Sequence, residues 1–195
     1  CVVVSKREVE EHFDAEAAQR LVRDGAGQVV GDPLEADVQL VAIGAYQLDA
    51  ALAAQRHLAA RGRRACVSVV LEPGRLRVPR DAIEAAFVAD DARVQALFPP
   101  ELPRVLLSHT RPEPMLGVLR RIDSGPARTR ALGYISRGGT LDVPGMLFAN
   151  RCTWAHAVDA CTAVAGWPRE ELLDAPLRDA LDGRGDPRVL QDRAP

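Results

Sequence analysis

Hydrophobic and polar residues follow two patterns along the chain: short apolar runs, and longer segments whose apolar residues recur every three or four positions. Short runs rich in Val and Leu are typical of buried strands, whereas the second pattern is typical of amphipathic helices. The runs predict strands at residues 2–4, 37–44, 64–71, 104–108 and 127–133. The helical pattern predicts helices at residues 7–23, 49–61, 81–87, 90–98 and 114–121, and a further helix that begins at Pro144.

The order of these elements, strand and helix in alternation, determines the predicted fold class. Strands joined through helices pair in parallel, because each helix carries the chain back across the sheet in a right-handed crossover. The sequence therefore predicts an α/β fold, a three-layer sandwich with a mostly parallel sheet of roughly five strands.

Residues 130–156 are expected to close this domain with the last strand, a glycine turn and the helix from Pro144, which would carry Trp154 into the core. Beyond them, leucines at helical spacing stand among charged residues, Pro and Gly, which predicts one marginal helix and a disordered end. We therefore expect an α/β domain at residues 1–166 and a helical or disordered tail at residues 167–195.

Composition narrows the class of protein. The chain has 195 residues, 47% of them hydrophobic, enough for one domain with a sizeable core. Its 25 basic and 27 acidic residues are well mixed, so no basic surface for nucleic acid or an anionic membrane is expected. No apolar run approaches the roughly 18 residues of a membrane span. The four cysteines form no CxxC pair, which favours a reduced, cytoplasmic protein without a zinc site.

Catalytic motifs are scarce. The chain has no Walker A, GxSxG or HExxH motif, and the glycines at residues 25–31 follow a predicted helix rather than a strand. Cys152 and His156 stand four residues apart and could share a metal, but two ligands do not make a site, and packing or capping roles are the alternative. We therefore predict no catalytic residue and no metal ligand. His12 and His57 stand among charged neighbours and are expected to be solvated.

Two residues are candidates for a binding site by position. His109 follows a predicted strand, and α/β proteins often place functional groups there; a histidine that caps the loop is the alternative. Lys6 follows the first predicted strand, where its ammonium could bind phosphate, with a solvated lysine as the alternative. The same ambiguity applies to four arginines: Arg7, Arg111, Arg137 and Arg151.

The order of these landmarks resembles the C-terminal domain of the phosphoketolases, thiamine diphosphate enzymes related to transketolase. In that family a strand ending in Gly-Lys leads into a helix, and residues 2–6 are similar, with Ser5 in place of the Gly. Residues 38–58 are similar to the next strand and its alanine-rich helix, and residues 95–109 to a segment that ends in His. The closing landmarks are Gly133, Tyr134, Gly138, Thr140, Pro144, Met146, Asn150 and His156.

The resemblance implies a longer parent enzyme, as does a chain that begins within an apolar run without Met. That enzyme would use thiamine diphosphate and Mg²⁺ to cleave xylulose 5-phosphate or fructose 6-phosphate with inorganic phosphate, giving acetyl phosphate and an aldose phosphate. This is the reaction of an aldehyde-lyase. Cofactor and metal would be bound by upstream catalytic domains, so that this domain would be inactive alone and would bind none. Lys6 would contact the phosphate of the sugar substrate, and a homodimer or higher oligomer is expected.

Two alternatives remain open. The chain could be a stand-alone α/β module that binds a small anion or nucleotide at the strand ends near Gly44, Pro73 and His109. It could also be the C-terminal domain of another transketolase-like enzyme, because the chain departs from the phosphoketolase pattern at residues 71–75 and 109–113.

Overall fold

The computed structural model describes residues 8–135, 139 and 141–195. Lys6 and the strand predicted at residues 2–4 lie outside the described residues, as do Arg137, Gly138 and Thr140 of the glycine turn. Within these ranges the predicted α/β fold is confirmed, with a mostly parallel five-stranded sheet between helices.

The sheet consists of β1 (Ala26–Val30), β2 (Val38–Ile43), β3 (Ala65–Val70), β4 (Arg104–Ser108) and β5 (Thr129–Leu132). Their order across the sheet is β1-β3-β2-β4-β5. Strands β2 to β5 are parallel, whereas β1 pairs with β3 in the antiparallel direction. Every residue of β2, β3 and β4 is buried, because helices cover both faces of the central sheet.

Strand β1 is a strand that the sequence analysis does not predict. Gly25 ends the first helix with a φ of 75°, and its N–H donates to the carbonyl of Leu21. Strand β1 follows directly at Ala26. Gly25 and Gly27, which in the sequence indicate only the end of a helix, therefore also mark the start of an edge strand. Its Gln28 is exposed, and its Oε1 accepts a hydrogen bond from Ser68 Oγ at 2.7 Å. A polar residue of this kind in a five-residue segment leaves no apolar run to recognise.

The helices are α1 (Ala15–Asp24), α2 (Ala45–Ala59), α3 (Ala82–Ala85), α4 (Asp91–Leu97), α5 (Pro112–Val118), α6 (Val143–Ala149), α7 (Trp154–Ala165), α8 (Arg169–Leu172), α9 (Ala175–Leu181) and α10 (Val189–Asp192). Short 3-10 helices span Pro73–Leu76 and Arg120–Ile122. The helix predicted at residues 7–23 begins later, because the Asp14 carboxylate accepts from Ala17 N–H and caps it. The helix predicted from Pro144 is two helices, α6 and α7, separated by a turn at Arg151.

The core has two parts, one on each face of the sheet. Helices α2 and α7 pack on one face, over Leu40, Val105 and Leu107. The other face, with Val41, Ile43 and Leu106, is covered by residues of shorter elements such as Leu76, Val94 and Leu119.

The C-terminal residues differ from the one marginal helix and disordered end that the sequence predicts. Three short helices, α8 to α10, bury Leu172, Leu177 and Leu190 in the same cluster as α2 and α7. Trp154 Nε1 donates to the Leu190 carbonyl at 2.7 Å, which fixes the last helix. The composition of this segment could not reveal the order, because its leucines are buried against α2 and α7. The division of the chain at residue 166 stays a prediction.

None of the described helices has the length and apolar character needed to cross a membrane.

Candidate functional site

The candidate site lies at the carboxyl ends of β2 and β4, in the middle of the sheet. From β2 the chain passes through α2 to β3 on one side, and from β4 it passes through α5 to β5 on the other. Ile43 and Ser108 pair in register as the last residues of these strands, so the next residues, Gly44 and His109, are neighbours. Ligands of open α/β sheets commonly bind where connections diverge in this way.

His109 is exposed at this point and held by one hydrogen bond. Its Nδ1 lies 2.9 Å from the carbonyl oxygen of Ile43. Because a carbonyl oxygen can only accept, Nδ1 donates, and Nε2 of the neutral ring carries no proton. The following turn is fixed as well, since Thr110 N–H donates to Ser108 Oγ at 3.0 Å. The site therefore offers an imidazole nitrogen that can accept a proton or a hydrogen bond.

Gly44 allows α2 to begin against this histidine. The residue is the N-cap of α2, has a φ of 118°, and no side chain caps the helix. A Cβ atom at Gly44 would lie 2.5 Å from Gln47 Oε1 and 3.1 Å from His109 Nδ1. The backbone at the start of α2 therefore lies close to the imidazole. The N–H groups in the first turn of a helix have no partners within the helix, so these strand ends offer N–H donors as well as a histidine acceptor.

We expect Gly44→Ala to lower the free energy of unfolding by about 2 kcal/mol, because the methyl group adds a steric conflict to an unfavourable backbone conformation. Urea denaturation measures the change. Gly62→Ala is the matched control: its φ is 70°, but nothing lies within 4 Å of the added Cβ. The control should lose only about 1 kcal/mol. Equal losses for the two variants would contradict the close packing at Gly44.

The structure brings together only some of the residues predicted as site residues. His109 stands at a strand end, as its position in the sequence indicates, and Gly44 lies beside it. Pro73 begins the 3-10 helix that follows β3. Lys6 lies outside the described residues, so its role stays a prediction.

Cys152 and His156 are buried and have separate partners. Cys152 Sγ donates to the carbonyl of Asn150 at 3.2 Å, and burial raises the pKa of the thiol to about 12. His156 Nδ1 lies 2.8 Å from Thr153 Oγ1, and burial, with a smaller effect of Arg151, lowers the pKa of the imidazole to about 4. A protonated thiol is not a metal ligand, so this pair has the packing and capping role.

The prediction that His12 and His57 are solvated is wrong. His57 is buried, its Nε2 donates to the Leu172 carbonyl at 2.7 Å, and its ring packs on Trp154 with ring centroids 4.8 Å apart. His12 is half-buried, and its Nε2 lies 2.6 Å from Asp49 Oδ1. Charged neighbours in sequence do not reveal such contacts, because the partners belong to other helices.

No family model matches the chain, and no curated protein matches it. Solved structures do: a transketolase from Leishmania mexicana has a TM-score of 0.55 and 20% identity over 75% of this chain and 19% of that one. Transketolase mutants from Pichia stipitis in complex with xylulose 5-phosphate give a TM-score of 0.53 and 16% identity over 77% and 19%. The transketolase from Campylobacter jejuni gives 0.50 and 15% over 71% and 18%.

These identities are too low to show more than the fold, and the chain spans about a fifth of the length of these transketolases. The agreement concerns the five-stranded, mostly parallel sheet and the helices beside it. The chain therefore has the α/β fold of transketolase-like C-terminal domains.

Proposed function

We propose that this chain is the C-terminal domain of a thiamine diphosphate-dependent, transketolase-like enzyme, and more narrowly of a phosphoketolase. The observation that carries the proposal is the fold: three quarters of the chain superpose on transketolases while covering about a fifth of their length. A segment with its own core and this share of a larger enzyme has the properties of one of its domains.

Sequence landmarks support the narrower proposal, because several lie where the fold needs them. A Cβ at Gly133 would lie 2.3 Å from the Thr110 carbonyl oxygen, so only glycine fits. Asn150 is buried, with Oδ1 accepting from Ile135 N–H at 2.8 Å and Nδ2 donating to the Met146 carbonyl at 2.9 Å. These landmarks join the end of β5 to α6, the region in which the resemblance to phosphoketolases is densest.

Thiamine diphosphate would supply the carbanion chemistry of the parent enzyme. Among the described residues, the one group of three potential metal ligands consists of Glu10, His12 and Asp49. Its imidazole is hydrogen-bonded to Asp49, and Mg²⁺ prefers an octahedral set of oxygens. These residues do not fit a thiamine diphosphate and Mg²⁺ site. We therefore assign both groups to upstream domains and the chemistry with them.

The proposed contribution of this chain is assembly and one substrate contact. Lys6 would hold the phosphate of xylulose 5-phosphate or fructose 6-phosphate at the edge of the active site, as a point charge. The enzyme would act as an aldehyde-lyase, as a homodimer or higher oligomer, in the cytoplasm.

The test joins the chain to its native upstream sequence and measures acetyl phosphate, as its hydroxamate, from fructose 6-phosphate and inorganic phosphate. We expect turnover by the wild type, and Lys6→Ala should raise KM for the sugar phosphate about tenfold, since one charge-assisted contact is lost. Lys6→Arg keeps the positive charge and should recover part of the loss. An unchanged KM in Lys6→Ala would remove Lys6 from the proposal without affecting the rest.

Two other results would replace the narrower proposal. A full-length protein that binds thiamine diphosphate but forms no acetyl phosphate would be another transketolase-like enzyme. An upstream sequence without a thiamine diphosphate motif would favour a ligand-binding module, for which the juxtaposition of Gly44 and His109 at the strand ends is the supporting observation.

A further inference from the structure

A polar groove of about 710 Å³ lies between β5, α7 and the end of α9, and neither Gly44 nor His109 lines it. Its lining includes Arg130 from β5, Arg151 from the turn between α6 and α7, and His156 and Asp159 from α7. Sites for small molecules commonly have volumes of about 300–1,000 Å³. The groove is therefore large enough for a small metabolite.

The acidic groups of the groove are already paired. Asp159 accepts a hydrogen bond from Arg169 at 2.5 Å, and Asp182 is paired with Arg169 at 2.9 Å and Arg184 at 3.0 Å. Arg169 thus bridges the two carboxylates. No acidic group of the groove is left to neutralise a further cation.

Arg130 and Arg151, by contrast, have no side-chain hydrogen bond or ion pair with any residue in the described ranges, and both are exposed. The remaining positions, 1–7, 136–138 and 140, contain no Asp or Glu that could neutralise them. His156 adds no charge near neutral pH, because burial and the nearby Arg151 guanidinium lower its pKa to about 4. The groove therefore has two guanidinium groups, those of Arg130 and Arg151, that no carboxylate of the described residues pairs with.

The backbone at Arg151 provides an independent observation. Arg151 has a φ of 56° and is the one residue other than glycine with a positive φ in the described part of the chain. Its N–H donates to the Phe148 carbonyl at 2.9 Å, and Cys152 N–H donates to the Leu147 carbonyl at 2.7 Å. This is a Schellman motif at the end of α6, in which glycine is the favoured residue. Arginine here costs stability, as is common where a side chain serves a function.

We propose that Arg130 and Arg151 bind the phosphate group of a small phosphorylated molecule in this groove. A guanidinium presents two parallel N–H groups that match a phosphate, and two such groups balance its dianion. The site includes neither Lys6 nor any residue assigned to the enzyme reaction. It therefore stands or fails independently of the proposed function.

The test titrates the 195-residue chain with inorganic phosphate, fructose 6-phosphate and fructose at constant ionic strength, with binding followed by calorimetry. Both phosphate-containing probes should bind and fructose should not. Arg130→Gln and Arg151→Gly should each weaken binding about tenfold or more, the loss of a charge-assisted contact. Arg111→Gln removes an exposed arginine outside the groove and should bind as the wild type does.

Thermal unfolding separates lost binding from a damaged fold. Arg151→Gly should raise Tm by about 2–4 °C, because glycine adopts the positive φ without strain. A variant that is more stable and binds phosphate less tightly cannot owe its weaker binding to unfolding. The proposal is overturned if the wild type binds neither phosphate probe, if Arg130→Gln and Arg151→Gly bind like the wild type, or if Arg111→Gln is weakened equally.

Discussion

Replacing Arg104 by alanine is expected to lower the free energy of unfolding by about 3–5 kcal/mol, because a large buried side chain that satisfies three carbonyl groups is removed. Arg104 begins β4 and has no exposed surface. Its guanidinium donates to the carbonyl oxygens of Pro99, Leu102 and Ile122, at 2.5, 3.1 and 2.9 Å. The side chain thus joins the segments before and after β4.

The expected loss has two physical sources. Three carbonyl groups would lose their donor, and each buried group left unsatisfied costs about 1–3 kcal/mol when water cannot reach it. The vacated volume beside Phe98, whose ring centroid lies 5.9 Å from the guanidinium carbon, adds the cost of a cavity. Burial lowers the pKa of Arg104 to about 10, so the side chain remains charged at pH 7.

Urea denaturation at pH 7 measures this change. Arg128→Ala is the matched control, since Arg128 stands just before β5, is exposed, and pairs with Glu101 at the surface. A pair of that kind contributes roughly 0–1 kcal/mol. If Arg104→Ala lost no more than the control, the three carbonyl contacts would not stabilise the fold.

Acidification is the second large effect: the chain should lose about 3 kcal/mol of stability as the pH falls from 6.5 to 4. His156 has a pKa of about 4 in the folded chain, against 6.5 for an ordinary histidine. The unfolded chain therefore takes up the proton first, and each pKa unit of difference is worth about 1.4 kcal/mol. Stability from this group is complete above pH 6.5 and is lost as the pH falls toward 4.

Other groups either share this direction or act at lower pH. Burial also lowers the pKa of His57, which adds to the loss. Hydrogen bonds from arginines lower the pKa of Asp24 and of Glu84 to about 2. The stability that these carboxylates contribute is therefore lost only as the pH falls from about 4 to 2. The loss of stability between pH 6.5 and 4 is therefore due mainly to the buried histidines.

Unfolding free energies at several pH values between 7 and 4, for the wild type and His156→Gln, test this assignment. The variant should lose most of the pH dependence, whatever its stability at pH 7. His109→Gln changes an exposed histidine and should keep the wild-type slope. A slope that persists in His156→Gln would assign the acid sensitivity to other groups.

The elements that could be predicted are those that a local pattern of apolar residues reveals. Strands β2, β3 and β4 are buried on both faces and are therefore continuous apolar runs. Strand β1 escaped prediction because an edge strand tolerates glycine and Gln28. The C-terminal leucines were placed on a helix, but their burial depends on α2 and α7, far away in sequence.

The candidate sites divide in the same way. His109 could be predicted because a position just after a strand indicates the carboxyl edge of a sheet. Arg104 could not, because its burial depends on three carbonyl groups in the two segments before and after β4. For Arg151, the sequence suggested only a charge that could bind phosphate, and the positive φ that distinguishes it from other arginines depends on how α6 ends.

The order of the strands also affects how fast the chain can fold. Strand β2 pairs with β3 across a single helix, but its other neighbour, β4, arrives only after β3 and several short helices. The entropy lost in closing that long loop must be overcome before the central contacts between Ile43 and Ser108 form. Folding should therefore be slower than in a helical bundle of equal length, whose contacts are mostly local.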